Sequence, residues 1–567
     1  MRYVIDQAIA AIATHAGQLL GTQIAPVVEA ANPKFGADFA IPTFSFAREL
    51  GKSPADIAAQ LASDLHVPGL MRAEAVGGFV NLWLSDELLV GALGEVASLH
   101  DSYGRHDSYA GQQVVIEHTD PNPFKEFHIG HAYSNTVGEA LGRLYQAGGA
   151  TVHQVSYHGD IGKHIAMAIW GIQQLLINPD SDWFNDDAQG DLTMTNVDET
   201  KRTAFLGAAY AHGARAYKDD EAAQAGIEAI NRHVYAHDEQ DIEDMYQMGK
   251  SWSFAYFEEI YAELGVAFEK QYLESEVGPE GLEIVRTHMG SVFQRSDGAV
   301  VYKGEKVGLH TRVFINSQGL PTYEAKELGL TFAKQRDYHF DQSVVVTANE
   351  IDEYFKVLIA AIHDIEPSLA AKMRHLSHGV VRLTTGKMSS RTGQVIRAVG
   401  VLDAIRQAIT ANHDTPELDA VKLGALKYAF LKQRVGGDIV FDVHESVSLD
   451  GNSGPYLQYA HARGQSILAK LGGEELGQVK DLTDDERTLA VKLASYPLVT
   501  AKAIAELAPH HICGYLYELT QVFNRFYERN RVIGDERQAV RVQLVRSYVQ
   551  ILKNGLELLN IPAPSKL

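Results

Sequence analysis

One cysteine in 567 residues, Cys513, excludes an internal disulfide framework and any zinc site built on several thiolates. Its setting, "HICGYLYEL", has the pattern of a helix interior, so Cys513 is expected in a core. Long apolar runs are lacking as well. None approaches the roughly 18 residues of a membrane helix, and Asp6 stands where a secretory leader would be basic. A cytoplasmic protein with no membrane partner is expected. Cations are in deficit, 50 Lys and Arg against 72 Asp and Glu, for a formal charge of −22. That excludes a protein that coats nucleic acid by bulk charge, because phosphate contacts need clustered Lys and Arg. A local basic surface stays open: "NRFYERNRVIGDERQAVRVQLVR", Arg525 to Arg546, interleaves arginines with aromatics and is either an RNA-facing surface or a solvated helix face.

The rest of the composition, 46% hydrophobic and 22% charged, is that of a globular protein. The length suits two to four domains, and no repeat of solenoid period is found. Residues 1–108 read as a small α/β domain: an opening amphipathic helix, a second helix in "SPADIAAQLASDL" with Ser53 and Pro54 at its start, then the strand "GGFVNLWLS". A second domain, 109–400, opens with the buried-strand run Val114, Val115 and Ile116, followed by a loop. The helical spacing of Val137, Ala140, Leu141, Leu144 and Tyr145 and a further strand in "TVHQVSYHGD" complete a parallel βαβ unit, whose ligands bind beyond the strands' carboxyl ends. Residues of about 178–244, rich in Asp, Asn and Gln, read as an insertion rather than sheet core. "DQSVVVTANE" is another buried strand. From 401 to 567 the pattern is almost wholly helical.

Two short motifs carry the chemistry. In "FKEFHIGHAYSN", His128 and His131 flank Gly130 at a helix start. The pair could be half of a metal site with His118, His153, His158 or His164, an ordinary helix cap, or a grip on phosphate, which helix-start N–H groups and a glycine that admits close approach would favour. Far downstream, "GKMSSRTG" is a glycine-bounded turn with Lys387 and Arg391 separated by small hydroxyl residues.

Together, in this order and each beside strands, the two motifs resemble the paired signature of class I aminoacyl-tRNA synthetases. "IEHTDPNPFKEFHIGH", "SYHGDIGKHIAMAI", "LPTYEAKELG", "GNSGPYLQYAHARGQSIL" and "YLYELTQVFNRFYE" narrow the resemblance to the arginyl-tRNA synthetases, and "FSFARELGKSPADIAAQL" with "GGFVNLWLS" is similar to that family's additional N-terminal domain. The resemblance spans nearly the whole chain and implies an α/β plus all-α architecture: an N-terminal α/β domain, a Rossmann-type catalytic domain and a C-terminal helical bundle that reads the anticodon.

It also implies the reaction, an arginine–tRNA ligase that makes arginyl-adenylate from arginine and ATP and transfers the arginine to the terminal ribose of tRNA(Arg), with tRNA needed for the first step. Such activation needs positioning and charge stabilisation rather than an enzymic nucleophile. His128, His131, Lys125 and Lys387 are the expected catalytic residues. ATP, carrying Mg2+ held by phosphate oxygens and water, is expected against Gly130, Gly159, Asp160, Gly162, Met388, Ser389, Ser390 and Arg391. The guanidinium calls for carboxylates: Glu117 and Glu327, with Tyr323 one turn before Glu327 and Asn122 for the α-amino or carboxylate end. The family has Asp where Glu327 stands and Trp where Ile161 stands. A further amino-acid contact falls on Asn349 or Glu350. Phe79 and Asn81 match positions that touch the tRNA D-loop. The family's second signature carries two lysines, and here Ser390 replaces the second. Lys125 is expected to supply the missing cation. A monomer is expected. The rivals are a synthetase for lysine or cysteine, the latter disfavoured by the single cysteine, a small nucleotidyltransferase, which would not need the long helical region, and a synthetase-like RNA-binding protein that has lost catalysis.

Overall fold

A computed structural model of the chain describes residues 3–22, 24–177, 183–184, 192–384, 396–412, 415–471 and 481–567. The chain divides into two compact units, Met1–Ser108 with His413–Tyr428 and Val447–Leu567, and Tyr109–Asn412 with Ala429–Ser446.

The second unit is built on the valine-rich strands. Strands β1 (Gln113–Glu117), β2 (Thr151–His158), β3 (Lys270–Leu273), β4 (Gln342–Ala348) and β5 (Met373–His378) form one sheet in the order β3-β2-β1-β4-β5, with every neighbouring pair parallel. This is the doubly wound order, in which the strand sequence reverses between β1 and β4 and leaves a crevice beyond their carboxyl ends. Strands covered on both faces read as continuous apolar runs, and Val114, Val115, Ile116, Val344, Val345 and Val346 are all buried. Helix α1 (Ile129–Ala147) crosses from β1 to β2 and α2 (Lys163–Ile177) follows β2.

The region read as an insertion is mostly helical where described, apart from a bridge between Phe184 and Val197, and its last helix runs on beyond it to Leu264. Helices α3 (Arg202–Asp219), α4 (Glu221–Ala236) and α5 (Gln240–Leu264) add no strand to the sheet. They share a core with α2 in which Ile165, Ile169 and Ile172 meet Phe205, Leu206, Ile227 and Val234. Two glycines let α2 and α3 cross at backbone contact: a Cβ on Gly171 would lie 1.9 Å from the Ala209 carbonyl oxygen, and one on Gly213 would lie 1.9 Å from that of Met167. Helix α6 (Glu274–Thr287) follows β3, and a small antiparallel sheet spanning 294–315 leads into α7 (Tyr323–Tyr338).

In the first unit the helices Val4–Leu20 and Pro54–Asp64 and the strand Phe79–Leu84 form where the pattern expects them. The Ser53 side chain caps the second helix, accepting from the Asp56 amide at 3.1 Å. The C-terminal helices join the same unit. Arg487, on the helix Asp484–Ala494, donates to Asp38, Asp86 and the Leu84 carbonyl, each at 2.6 Å. Cys513 is buried in the helix His510–Arg529. The region after the second signature is not wholly helical: Ile439–Phe441 pairs in parallel with Val381–Leu383, burying Ile439 and Phe441 and leaving Val440 outward.

No helix among the described residues is long and apolar enough to cross a membrane.

Candidate active site

The loop after β1 begins under strain, with Thr119 and Asp120 at φ +83° and +45° and Phe124 at φ +64°, a region that non-glycine residues rarely enter. Hydrogen bonds hold it there. Asp120 accepts from the Tyr157 amide at 2.8 Å, Asn122 Oδ1 from the Gly159 amide at 3.0 Å, and Ser253 Oγ on α5 from the Phe124 amide at 2.9 Å. A Cβ on Gly159 would come within 2.5 Å of Asn122 Oδ1, so the two turns meet only because that residue is glycine.

His128 ends the loop as the N-cap of α1. Its Nδ1 accepts from the His131 amide, and His131 Nδ1 accepts in return from the His128 amide, both at 3.3 Å. The rings stack with centroids 3.5 Å apart. Burial and then the nearby Lys125 ammonium hold His128 down at about 4. His131 is pushed down by burial and by His128. At neutral pH the pair is therefore uncharged and able to take up charge beside an anion.

Lys387, Met388, Ser389, Ser390 and Arg391 lie outside the described residues. The chain directly after them is joined to the first signature. The Ile129 amide donates to the Ile396 carbonyl at 2.9 Å, the Ala398 amide to that of Phe127 at 3.0 Å, and Arg397 pairs with Glu126 at 3.2 Å. The segment that follows the second motif, from Ile396, thus lies against the first motif.

On α7, Tyr323, Glu327 and Lys334 share one face, four and eleven positions along. Tyr323 lies exposed at the helix start, Glu327 is buried one turn on, and Lys334 is fully buried and donates to Glu117 at the end of β1. Glu327 Oε1 is buried with no hydrogen-bond partner, and so is the Tyr157 hydroxyl. Burial, then the Glu117 charge, pushes the Glu327 carboxyl well up against the opposing pull of Lys334. Glu274, at the end of β3, pairs with Lys326 at 2.6 Å. Two carboxylates thus have resident cations, and Glu327 has none of its own.

Several predicted residues are engaged otherwise. The Asp160 carboxylate is fully buried and accepts from Lys250 at 2.7 Å, Tyr246 at 3.0 Å and the Ser275 amide and hydroxyl at 2.9 and 2.7 Å. Burial raises it, but these donors prevail and keep it low. Gly162 makes the turn at φ +113°. His118, His153, His158 and His164 each bond to side-chain or backbone groups of the fold. Among the described residues no group of three or more His, Cys, Asp or Glu could hold a metal ion. Asn349 and Glu350 are both exposed just after β4.

In the first unit Phe79 is 37% exposed and packs edge-on against Phe44, while Asn81 is 1% exposed with its Nδ2 unpartnered. The arginine cluster divides. Arg537 and Arg541 bond to the buried Glu486, whereas Arg525, Arg529, Arg531 and Arg546 are exposed.

The sequence reading missed Lys334, Lys326, Glu274 and Lys250. Lys334 was detectable as a charge on the face that carries Tyr323 and Glu327, and Glu274 as a carboxylate at a strand's carboxyl end. Lys250 gave no such sign.

Comparison with known proteins agrees with the fold. Residues 95–443 match the family "tRNA synthetases class I (R), catalytic domain". Residues 1–84 match the arginyl tRNA synthetase N-terminal domain and 457–567 the DALR anticodon binding domain. The arginine–tRNA ligases of Treponema denticola and Treponema pallidum are 28% and 29% identical, over 94% and 97% of this chain and 93% and 98% of their own. The arginyl-tRNA synthetase structure of Thermus thermophilus superposes with TM-score 0.78 at 24% identity, covering 99% of this chain and all of its own. That of Plasmodium falciparum superposes at 0.75 with 19% identity, covering 100% and 99%. At these identities the two structures speak for the fold.

Proposed function

The chain belongs to the class I tRNA synthetases of the R family, and from that premise we propose that it is an arginine–tRNA ligase. Arginine's carboxylate attacks the α-phosphorus of ATP, diphosphate leaves, and arginyl-adenylate forms. A hydroxyl of the terminal ribose of tRNA(Arg) then attacks the adenylate carbonyl, and AMP leaves.

The observation that carries this reading is the unpartnered, buried Glu327 Oε1, close to Glu117 and to the orphaned Tyr157 hydroxyl. A buried carboxylate without a cation calls for one from the ligand, and a guanidinium, planar and always charged, offers two parallel donors. Glu117, Tyr323 and Glu327 hold the side chain and Asn122 the α-amino or carboxylate end. The longer Glu327, in place of the family's Asp, suits a carboxylate neighbour already tied to Lys334. His128, His131, Lys125 and Lys387 steady the phosphates as charge develops at the leaving oxygens. Gly130, Gly159, Gly162, Met388, Ser389, Ser390 and Arg391 line the nucleotide. For Asp160 the support extends only to shaping the turn, because its carboxylate is saturated. Mg2+ arrives as part of the ATP substrate.

Residues 1–108, with Phe79, touch the D-loop, and 401–567 read the anticodon; Asn81 serves there from beneath the surface. A monomer in the cytoplasm completes the reading. The test is arginine-dependent ATP–diphosphate exchange with and without tRNA, repeated with lysine. Exchange with arginine and tRNA is expected. Exchange with lysine alone, or none at all, would sink the assignment.

A further inference from the structure

Lys125 lies on the strained loop, and among the described residues its ammonium has no carboxylate partner. Its close neighbour is the ring of Tyr210, whose centroid is 4.7 Å away. Tyr210 is on α3, in the region that reads as an insertion. A second contact runs from the same face of that helix to the same loop: Gly207, three positions before Tyr210, sits where a Cβ would touch Glu126 Cγ at 3.4 Å. Glu126, the carboxylate next to Lys125 in sequence, is turned to Arg397 instead. Elsewhere on the loop, Ser253 and Gly249 of α5 seat Phe124. The loop is thus held by α3 of the insertion and by α5, and among the described residues the lysine's close neighbour is an aromatic face.

We propose that Tyr210 is a positioning residue for activation: its ring holds the Lys125 ammonium over the phosphate site, which gives the insertion a direct part in the first chemical step. The inference rests on the reading of Lys125 as a phosphate-gripping cation. A carboxylate in the ring's position would neutralise the ammonium and compete with phosphate. An aromatic face attracts a cation without satisfying its hydrogen-bond donors, so the three N–H groups stay available to oxygen. Helix α3 is fixed in turn by the Gly171–Gly213 crossing with α2, so the ring is presented by a rigid element.

The test is a double-mutant cycle on Lys125→Ala and Tyr210→Leu in the full chain, read as the rate of arginine-dependent ATP–diphosphate exchange with tRNA. Y210L is expected to lower kcat by about three- to thirtyfold, the range of a partly desolvated cation–π contact, with the KM for arginine unmoved. In the K125A background it should cost nothing further. Y210F, which keeps the ring, should recover most of the rate. Equal losses in both backgrounds, or a Y210F as slow as Y210L, would overturn the tyrosine's role. A K125A with the unmutated rate would instead remove the lysine's role, and this proposal with it. Thermal melts of the variants separate these outcomes from misfolding.

Discussion

Glu117 and Lys334 form a fully enclosed ion pair, and breaking such a pair from one side leaves an uncompensated charge that costs about 3–5 kcal/mol. Lys334→Met is therefore expected to lower the denaturation midpoint sharply, and an unchanged midpoint would show that the pair is not load-sharing in the fold. Glu327 makes a different prediction. Its carboxyl is raised by burial and by Glu117, so at low pH it is protonated, and an arginine that needs the carboxylate must displace that proton. The KM for arginine should rise as pH falls from 8.5 to 6, by at most tenfold per unit, and E327Q should flatten the profile; a flat profile in the unsubstituted protein would refute the coupling. K125A should slow adenylate formation by about a hundredfold, the scale of one transition-state contact, while tRNA affinity in a filter-binding assay holds. Equal losses in both would count against a phosphate role. At this scale the sequence was legible where a motif fixes a position, as at His128, Glu117 and Glu327. It was illegible where a partner comes from far along the chain with no motif to mark it, as Lys250 to Asp160.

Helices and strands were legible where periodicity was long or apolar. The valine runs of β1 and β4 and the capped helix at Ser53 stand out because burial on both faces, and a proline behind a serine cap, leave few alternatives. The small sheet at 294–315 escaped notice because its strands are three or four residues long, too short for alternation to register. The insertion hid its helices for another reason: its core belongs half to α2, so its own apolar pattern looks thin. The crossing of α2 and α3 gives an element-scale prediction. Glycine to alanine in a helix interior gains up to about 1 kcal/mol of propensity, but a Cβ forced against a backbone carbonyl at 1.9 Å requires the helices to part, at about 1–3 kcal/mol. G171A should therefore lower the melting temperature rather than raise it, and should slow activation by shifting Tyr210. A more stable, equally active G171A would contradict both expectations.

The order of strands in the sheet and the assembly of the first unit were not legible in the sequence, because both depend on pairings between distant segments. Arg487 is the clearest such pairing. Its guanidinium binds Asp38, which burial pushes up even beside it, and Asp86, so that the N-terminal sheet and the C-terminal helices share one electrostatic centre. Calorimetry of R487M should show the transition of this unit shifted down by several degrees; an unmoved transition would mean that the apolar contacts suffice without it.

The same unit takes its first segment from residues 1–108 and its last from 447–567. A ribosome adding about 5–20 residues per second needs roughly 20 to 70 seconds to travel from one to the other. Throughout that interval the nascent N-terminal segment must wait, with the surface meant for the helical bundle still bare, while the catalytic sheet is synthesised and can close ahead of it. Slow elongation or a scarce nascent-chain chaperone would therefore be felt first at the oldest part of the chain.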